Sequence, residues 1–156
     1  MSALLIATTV GSAATGGVFL GFSTFVMHGL DRLPPATATA AMQSINTSAV
    51  RPGFMTVLFG TAVGCGALAV HAALHPEQRS SGLVVAGSAL YLFGAVGLTA
   101  TRHVPFNNIL AARPSAMASD CGAWAAWSTR WRRWNHVRTA SALAAASAFA
   151  AAGSMT

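Results

Sequence analysis

The chain has no lysine, and only three acidic residues, Asp31, Glu77 and Asp120, stand among its 156 positions. So few carboxylates come close to excluding chemistry by a pair of carboxylates, the basis of most glycoside hydrolysis. There is no glycine-rich phosphate loop and no nucleophile elbow, so phosphate-cradling and serine-hydrolase patterns are absent. The two cysteines, Cys65 in an apolar run and Cys121 in a polar segment, have no metal-type spacing and form no disulfide framework, which leaves the redox compartment unread. A positive segment ahead of the first apolar stretch is also missing. That stretch, Ala3 to Met27, exceeds the roughly 7 to 15 residues of a signal-peptide core, so it reads as a retained helix even though Ala36-Thr37-Ala38 resembles a cleavage site.

Apolar residues fill the space. Hydrophobic side chains make up 54% of the chain and charged ones 8%, with a mean hydropathy of +0.56, whereas an ordinary soluble domain carries about a quarter charged residues. A membrane protein in contact with the lipid bilayer is the first expectation. The net charge of +6 comes from nine arginines. They sit between apolar runs rather than along one polar face, which argues against a nucleic-acid partner and for loops that orient a membrane protein.

Four stretches have about the 20 mostly apolar residues that a spanning helix needs: about 3–27, 53–73, 82–101 and, marginal in length, 137–153. All are rich in small residues. Gly17 and Gly21, and Gly60 and Gly64, lie four apart, a spacing that lets helix backbones approach where lipid gives no hydrophobic drive to pack. The expected fold is all-α: a single domain over 1–156, an integral membrane four-helix bundle with interfacial helices in its two longer loops, about 34–50 and 105–135. Glycine-rich faces on several helices would also permit a homo-oligomer.

Four spans place both termini on one face with the 74–81 connection, and the two long connections on the other. The second face holds Arg32, Arg51, Arg102, Arg113, Arg130, Arg132, Arg133 and Arg138, against Arg79 alone on the first. The positive-inside rule therefore puts the long loops in the cytoplasm and both termini across the inner membrane, unless arginines serving a site bias the count. In the first long loop Pro34-Pro35 stops one helix and starts another, with Met42, Ile45 and Ala49 beside a polar stripe of Gln43, Asn46 and Thr47. Arg51-Pro52 ends it. The second loop repeats the plan loosely, with Pro105, Asn107, Arg113-Pro114 and a helix cap at Asp120, as though two interfacial elements met over the mouth of the bundle.

From Asp120 onward, Trp124, Trp127, Trp131 and Trp134 step by three and four, so one continuous helix would align them with Arg138. Headgroup-level anchoring is the bland reading of such tryptophans, and the favoured one for Trp124 and Trp127. Arg138 lies about a turn inside the last apolar run, where an ionisable side chain is costly and faces an interior or a watery cavity, or snorkels outward. Helical geometry points His136 away from the tryptophan stripe. Both residues act on one substrate only if the helix bends near Asn135. His28, His103 and His136 all fall near the arginine-rich face and would permit a transition metal, and His71 with His75 forms a second pair, but no tight spacing motif supports a metal.

Phe25-Val26-Met27, Leu30 through Pro35, Ala41 through Asn46, Pro52 through Met55, Val104 through Asn107, and Trp131 with Trp134 through Thr139 together resemble the anthrone-oxygenase-like family of small integral membrane proteins. The likeness spans nearly the whole chain. It implies oxidation of an anthrone to an anthraquinone with O2 as co-substrate and without a dedicated organic cofactor. It also implies roles: His136 as base, Arg138 with Asn107 or Asn135 as enolate partners, Trp131 or Trp134 stacking on a planar ring, and Gln43, Asn46 and Phe54 as further substrate contacts. In the family pattern the position of His103 is usually asparagine and that of His28 often proline, so these two histidines look particular to this chain, which weakens them as general catalytic residues.

The leading expectation is a membrane-embedded oxygenase or oxidoreductase acting on an apolar, polycyclic aromatic small molecule. A redox bundle holding haem or a metal ion, and a non-enzymatic membrane subunit or carrier, are the alternatives.

Overall fold

Five helices account for most of residues 2–113 and 120–155, which a computed structural model describes, and no strand occurs among them. Helix α1 (Ala3–Leu30), α2 (Pro35–Ala49), α3 (Pro52–Leu74), α4 (Ser81–Ala111) and α5 (Cys121–Gly153) follow one another with short connections. Three of them, α1, α3 and α4, are long and apolar enough to cross a membrane. The fourth anticipated stretch forms the second half of α5. Its alanines and Arg138 make it less apolar than the others.

Helix boundaries follow the expected prolines. Pro34 is extended, Pro35 opens α2, Arg51 is extended and Pro52 opens α3, each proline sitting where its missing N–H has no helical partner. Asp120 caps α5, its carboxylate accepting from the backbone N–H of Gly122 at 2.8 Å and Ala123 at 3.2 Å. Pro114, in the second Arg-Pro step, lies outside the described residues.

Two boundaries differ from the sequence reading. Helix α4 runs on past residue 101 through Pro105 to Ala111, because Leu90–Gly97 and Thr99–His103 are wound as π-helix. Wider winding just before a proline relieves the clash between its ring and the carbonyl one turn back. Helix α5 spans 33 residues without a break at Asn135, joining the expected interfacial segment to the expected span.

Helices α1 and α5 run antiparallel, with Gly153 beside Leu5 at one end, and α3 and α4 pack against them. Small residues do permit close approach, Gly64 from the spaced pairs and others outside them. A Cβ on Gly64 would meet Thr8 Oγ1 at 2.5 Å, one on Gly16 would meet Leu143 at 2.7 Å and one on Gly87 would meet Phe149 at 2.9 Å, whereas Gly17 and Gly60 face open space. Buried Tyr91 ties three helices, its hydroxyl 3.0 Å from Thr15 Oγ1 and donating to the Leu58 carbonyl at 3.2 Å. Val10, Val63, Val70 and Phe93 remain exposed on the outer faces, an apolar exterior suited to lipid.

At the arginine-rich end a second core forms where α2 folds over the bundle: Met27, Leu30, Ala38, Met42 and Leu110 enclose Trp124, Trp127 and Trp131. Trp124 donates to Asp31 Oδ1 and Trp127 to the Phe106 carbonyl, both at 3.0 Å. These two tryptophans are therefore core residues rather than headgroup anchors. Asp31 also pairs with Arg132 at 2.8 Å, and Gln43 donates to the Leu110 carbonyl at 2.9 Å, so α2, the end of α4 and the start of α5 are locked together.

Candidate active site

Beneath α2, between α1, α3, α4 and α5, lies a cavity of about 550 Å³. Its wall is mostly apolar: Phe19, Phe22, Met42, Phe54, Leu58 and Trp131 supply the larger surfaces. The polar groups are few and gathered, with Arg138, Thr99, His103, Asn107 and Asn46 among them. Size and lining match the usual small-molecule site, a concave apolar space of about 300–1,000 Å³ with a few placed polar groups. Val18, Val50 and Phe59 line the cavity and are also exposed, so it opens towards the apolar exterior.

Arg138 dominates the polar end. It is 6% exposed, donates to Thr99 Oγ1 at 3.0 Å and donates a short hydrogen bond to Asn135 Oδ1. Its guanidinium carbon lies 4.1 Å from the Phe19 ring centre and 5.6 Å from that of Trp131. Nε has no partner, and among the described residues the only ion pair is the one between Arg132 and Asp31. A buried cation held by neutral groups and ring faces is incompletely compensated, because desolvating a charge costs several kcal/mol unless an opposite charge meets it.

Asn135 sits behind Arg138 rather than on the wall. Fully buried, it donates to the Phe19 carbonyl and to Ser23 Oγ, each at 2.7 Å, while its Oδ1 accepts from Arg138. It fixes the guanidinium and joins α5 to α1 at Phe22–Val26, where α1 too is wound as π-helix. Asn107 Oδ1 accepts from Trp131 Nε1 at 3.0 Å, which sets the tilt of that indole. Phe22 stands 5.9 Å from Trp131 and His103 meets it edge-on at 5.0 Å.

Of the nine residues expected at a site, Arg138, Asn107, Trp131, Phe54 and Asn46 line this cavity. Gln43 lines an adjoining polar pocket that Asn46 and Asn107 share, and Asn135 supports from behind. Trp134 lies half-buried beneath the Arg102 guanidinium at 4.8 Å, off the cavity wall. His136 is exposed and faces away. With α5 unbent, the condition for His136 and Arg138 to share a ligand is not met.

His28, also exposed, has Nδ1 on the Thr24 carbonyl at 2.9 Å, so the three-imidazole grouping does not assemble. Among the described residues no three histidine, cysteine or acidic side chains come together as metal ligands. Phe19, Phe22 and Thr99 were not anticipated at a site, and His103 only as one of three possible metal-binding imidazoles. Thr99 and His103 share one face of a helix, a spacing legible in the sequence, but the π winding that brings both to the cavity leaves no periodic signature.

An all-helical protein with three potential membrane-crossing helices and an apolar cavity around an uncompensated arginine is the class that fold and geometry define. Residues 54–148 match the family model described as anthrone oxygenase, and the chain belongs to that family. No curated protein and no solved structure matches the chain. The matched segment contains Asn107, Trp131, Asn135 and Arg138, while the aromatic wall from α1 precedes it.

Proposed function

We propose that this protein is a membrane-embedded oxygenase that oxidises an apolar polycyclic aromatic of the anthrone type with O2. In this reading α1, α3, α4 and the second half of α5 cross the membrane, α2 lies at the interface, and the arginine-rich end faces the cytoplasm. The observation that carries the reading is the buried Arg138 guanidinium, without an acidic partner, at the end of a cavity with aromatic walls.

The chemistry needs little more. An anthrone that loses a proton from its central ring becomes an enolate whose negative charge spreads across the aromatic system onto the carbonyl oxygen. A fixed guanidinium stabilises that oxygen more than the neutral ketone, and in a dry cavity the difference is far larger than in water. The enolate gives one electron to O2, the two radicals combine, and the hydroperoxide loses water to give the quinone. Phe19, Phe22 and Trp131 supply flat apolar surfaces for such a ring system. Both substrates dissolve in lipid, and the opening at Val18, Val50 and Phe59 gives them a lateral route.

Oxygen uptake by the purified protein in nanodiscs, given anthrone and followed together with quinone absorbance, tests this. Equimolar oxygen loss and quinone gain above protein-free nanodiscs is expected, with strong reduction in Ile45→Trp, which fills the cavity. Uptake no faster than that of protein-free nanodiscs rejects the reading.

A further inference from the structure

We propose that His103 is the proton acceptor of this cavity, taking the ring proton of the bound aromatic ketone on Nε2. The inference rests on the reading of the cavity as an oxygenase site. Enolate formation requires a basic group at the ligand, and among the described residues the cavity wall contains no aspartate, glutamate, lysine, tyrosine or cysteine. Arg138 and His103 are its only ionisable members among the described residues. The guanidinium has no lone pair to offer, so the imidazole is the one side chain on the wall with a basic nitrogen.

Its setting supports the role. His103 is 1% exposed, and its ring edge against Trp131 fixes the plane. Nδ1 faces the Leu98 carbonyl at 3.5 Å, an acceptor that favours the tautomer with the proton on Nδ1 and the lone pair on Nε2. Nε2 is buried and has no hydrogen-bond partner among the described residues. A buried nitrogen left without a partner normally costs stability, so a ligand C–H or a proton in transit is the natural completion of the site.

The other histidines are elsewhere. His28 and His136 are exposed, and His71 and His75 stack on each other at 4.3 Å on the last turn of α3, at the far end of the bundle. Acceptor and oxyanion donor are also held by one stretch of backbone, since Thr99, which accepts from Arg138, and His103 bound the same π-helical segment.

The Nε2 lone pair takes a proton from the methylene carbon, and the C–H electron pair delocalises onto the carbonyl oxygen at Arg138. That enolate passes one electron to O2, giving superoxide and a ring radical, and these form a C–O bond. The imidazolium returns its proton to the terminal peroxide oxygen. His103 then takes the second methylene proton as the O–O bond breaks; the departing hydroxide collects it as water and the carbonyl of the quinone forms.

Proton abstraction can be read without oxygen, from deuterium exchange of the methylene protons of anthrone, followed by NMR under anaerobic conditions in nanodiscs. Wild-type protein should accelerate exchange over protein-free nanodiscs, and His103→Gln should lower the acceleration by about 100-fold or more. Quenching of tryptophan fluorescence by anthraquinone should persist in the variant, showing an intact cavity. His28→Ala should match wild type, and imidazole should partly restore His103→Ala.

Undiminished exchange in His103→Gln overturns the proposal. So does loss of anthraquinone binding together with exchange in both His103 variants, which marks the residue as structural. Oxygen uptake by wild type without accelerated exchange overturns the role of His103 and leaves the oxygenase reading standing. Absence of both ends the two together.

Discussion

Replacing Arg138 by methionine separates a functional arginine from a structural one. Methionine keeps most of the length and removes the charge. The lost contacts are the hydrogen bonds to Thr99 and Asn135 and the approach to two rings, worth roughly 1.5–3 kcal/mol per charged hydrogen bond and about 0.5–2 kcal/mol for the ring contacts. Against this stands the desolvation of a guanidinium that no carboxylate compensates, several kcal/mol by itself. Thr99 keeps a bond to the Ala95 carbonyl at 2.7 Å, and Asn135 keeps both of its donor bonds to α1. The opposing sums nearly cancel, so the variant should melt within a few degrees of wild type. Turnover should fall by about 100- to 1,000-fold, the usual loss when an oxyanion donor is removed. Thermal unfolding in detergent and oxygen uptake with anthrone read the two quantities side by side. Collapse of the fold with the charge removed, or turnover within threefold of wild type, would refute the reasoning.

Other substitutions test separate links. Asn135→Ala strips two 2.7 Å donor bonds from a fully buried site and should destabilise by about 2–4 kcal/mol, with turnover down tenfold or more as Arg138 loses its support; chemical unfolding and initial rates check this. His136→Ala, on the exposed face, should leave both melting and initial oxygen-uptake rates unchanged. Gly87→Val would force a methyl-bearing side chain into Phe149 and should cost about 1–3 kcal/mol, while Gly17→Ala, with open space around it, should melt at or slightly above wild type. Trp131→Phe keeps a ring but frees Asn107, and should raise KM for anthrone more than it lowers kcat.

Much of the architecture was legible because it rests on local rules. Length and hydropathy mark α1, α3 and α4; Pro35, Pro52 and Asp120 mark helix starts; and the three- and four-residue steps of the tryptophans align them with Arg138 on one stripe. Arg138 was legible for a related reason, as a charge inside an apolar run beside asparagine. The remainder depended on packing between distant segments. Phe19 comes to Arg138 through Asn135, which lies more than a hundred residues further along the chain, and nothing local to either end announces it. Continuous helix through Pro105 depends on π winding, which hydrophobic periodicity does not encode. Trp124 and Trp127 read as anchors because aromatic residues near a span usually are; folding of α2 over them made them core. His136 and His103 both stand at the edge of an apolar run, and the burial of His103 against the exposure of His136 depends on packing that neither position announces.

The central claim is that the ligand's carbonyl oxygen meets the Arg138 guanidinium. Isotope-edited infrared spectroscopy of bound anthraquinone carrying a carbon-13 carbonyl measures that contact directly. A carbonyl stretch lowered relative to the quinone in protein-free nanodiscs, and returning to that frequency in Arg138→Met while the quinone stays bound, is the predicted result. A frequency identical in wild type and Arg138→Met would contradict it.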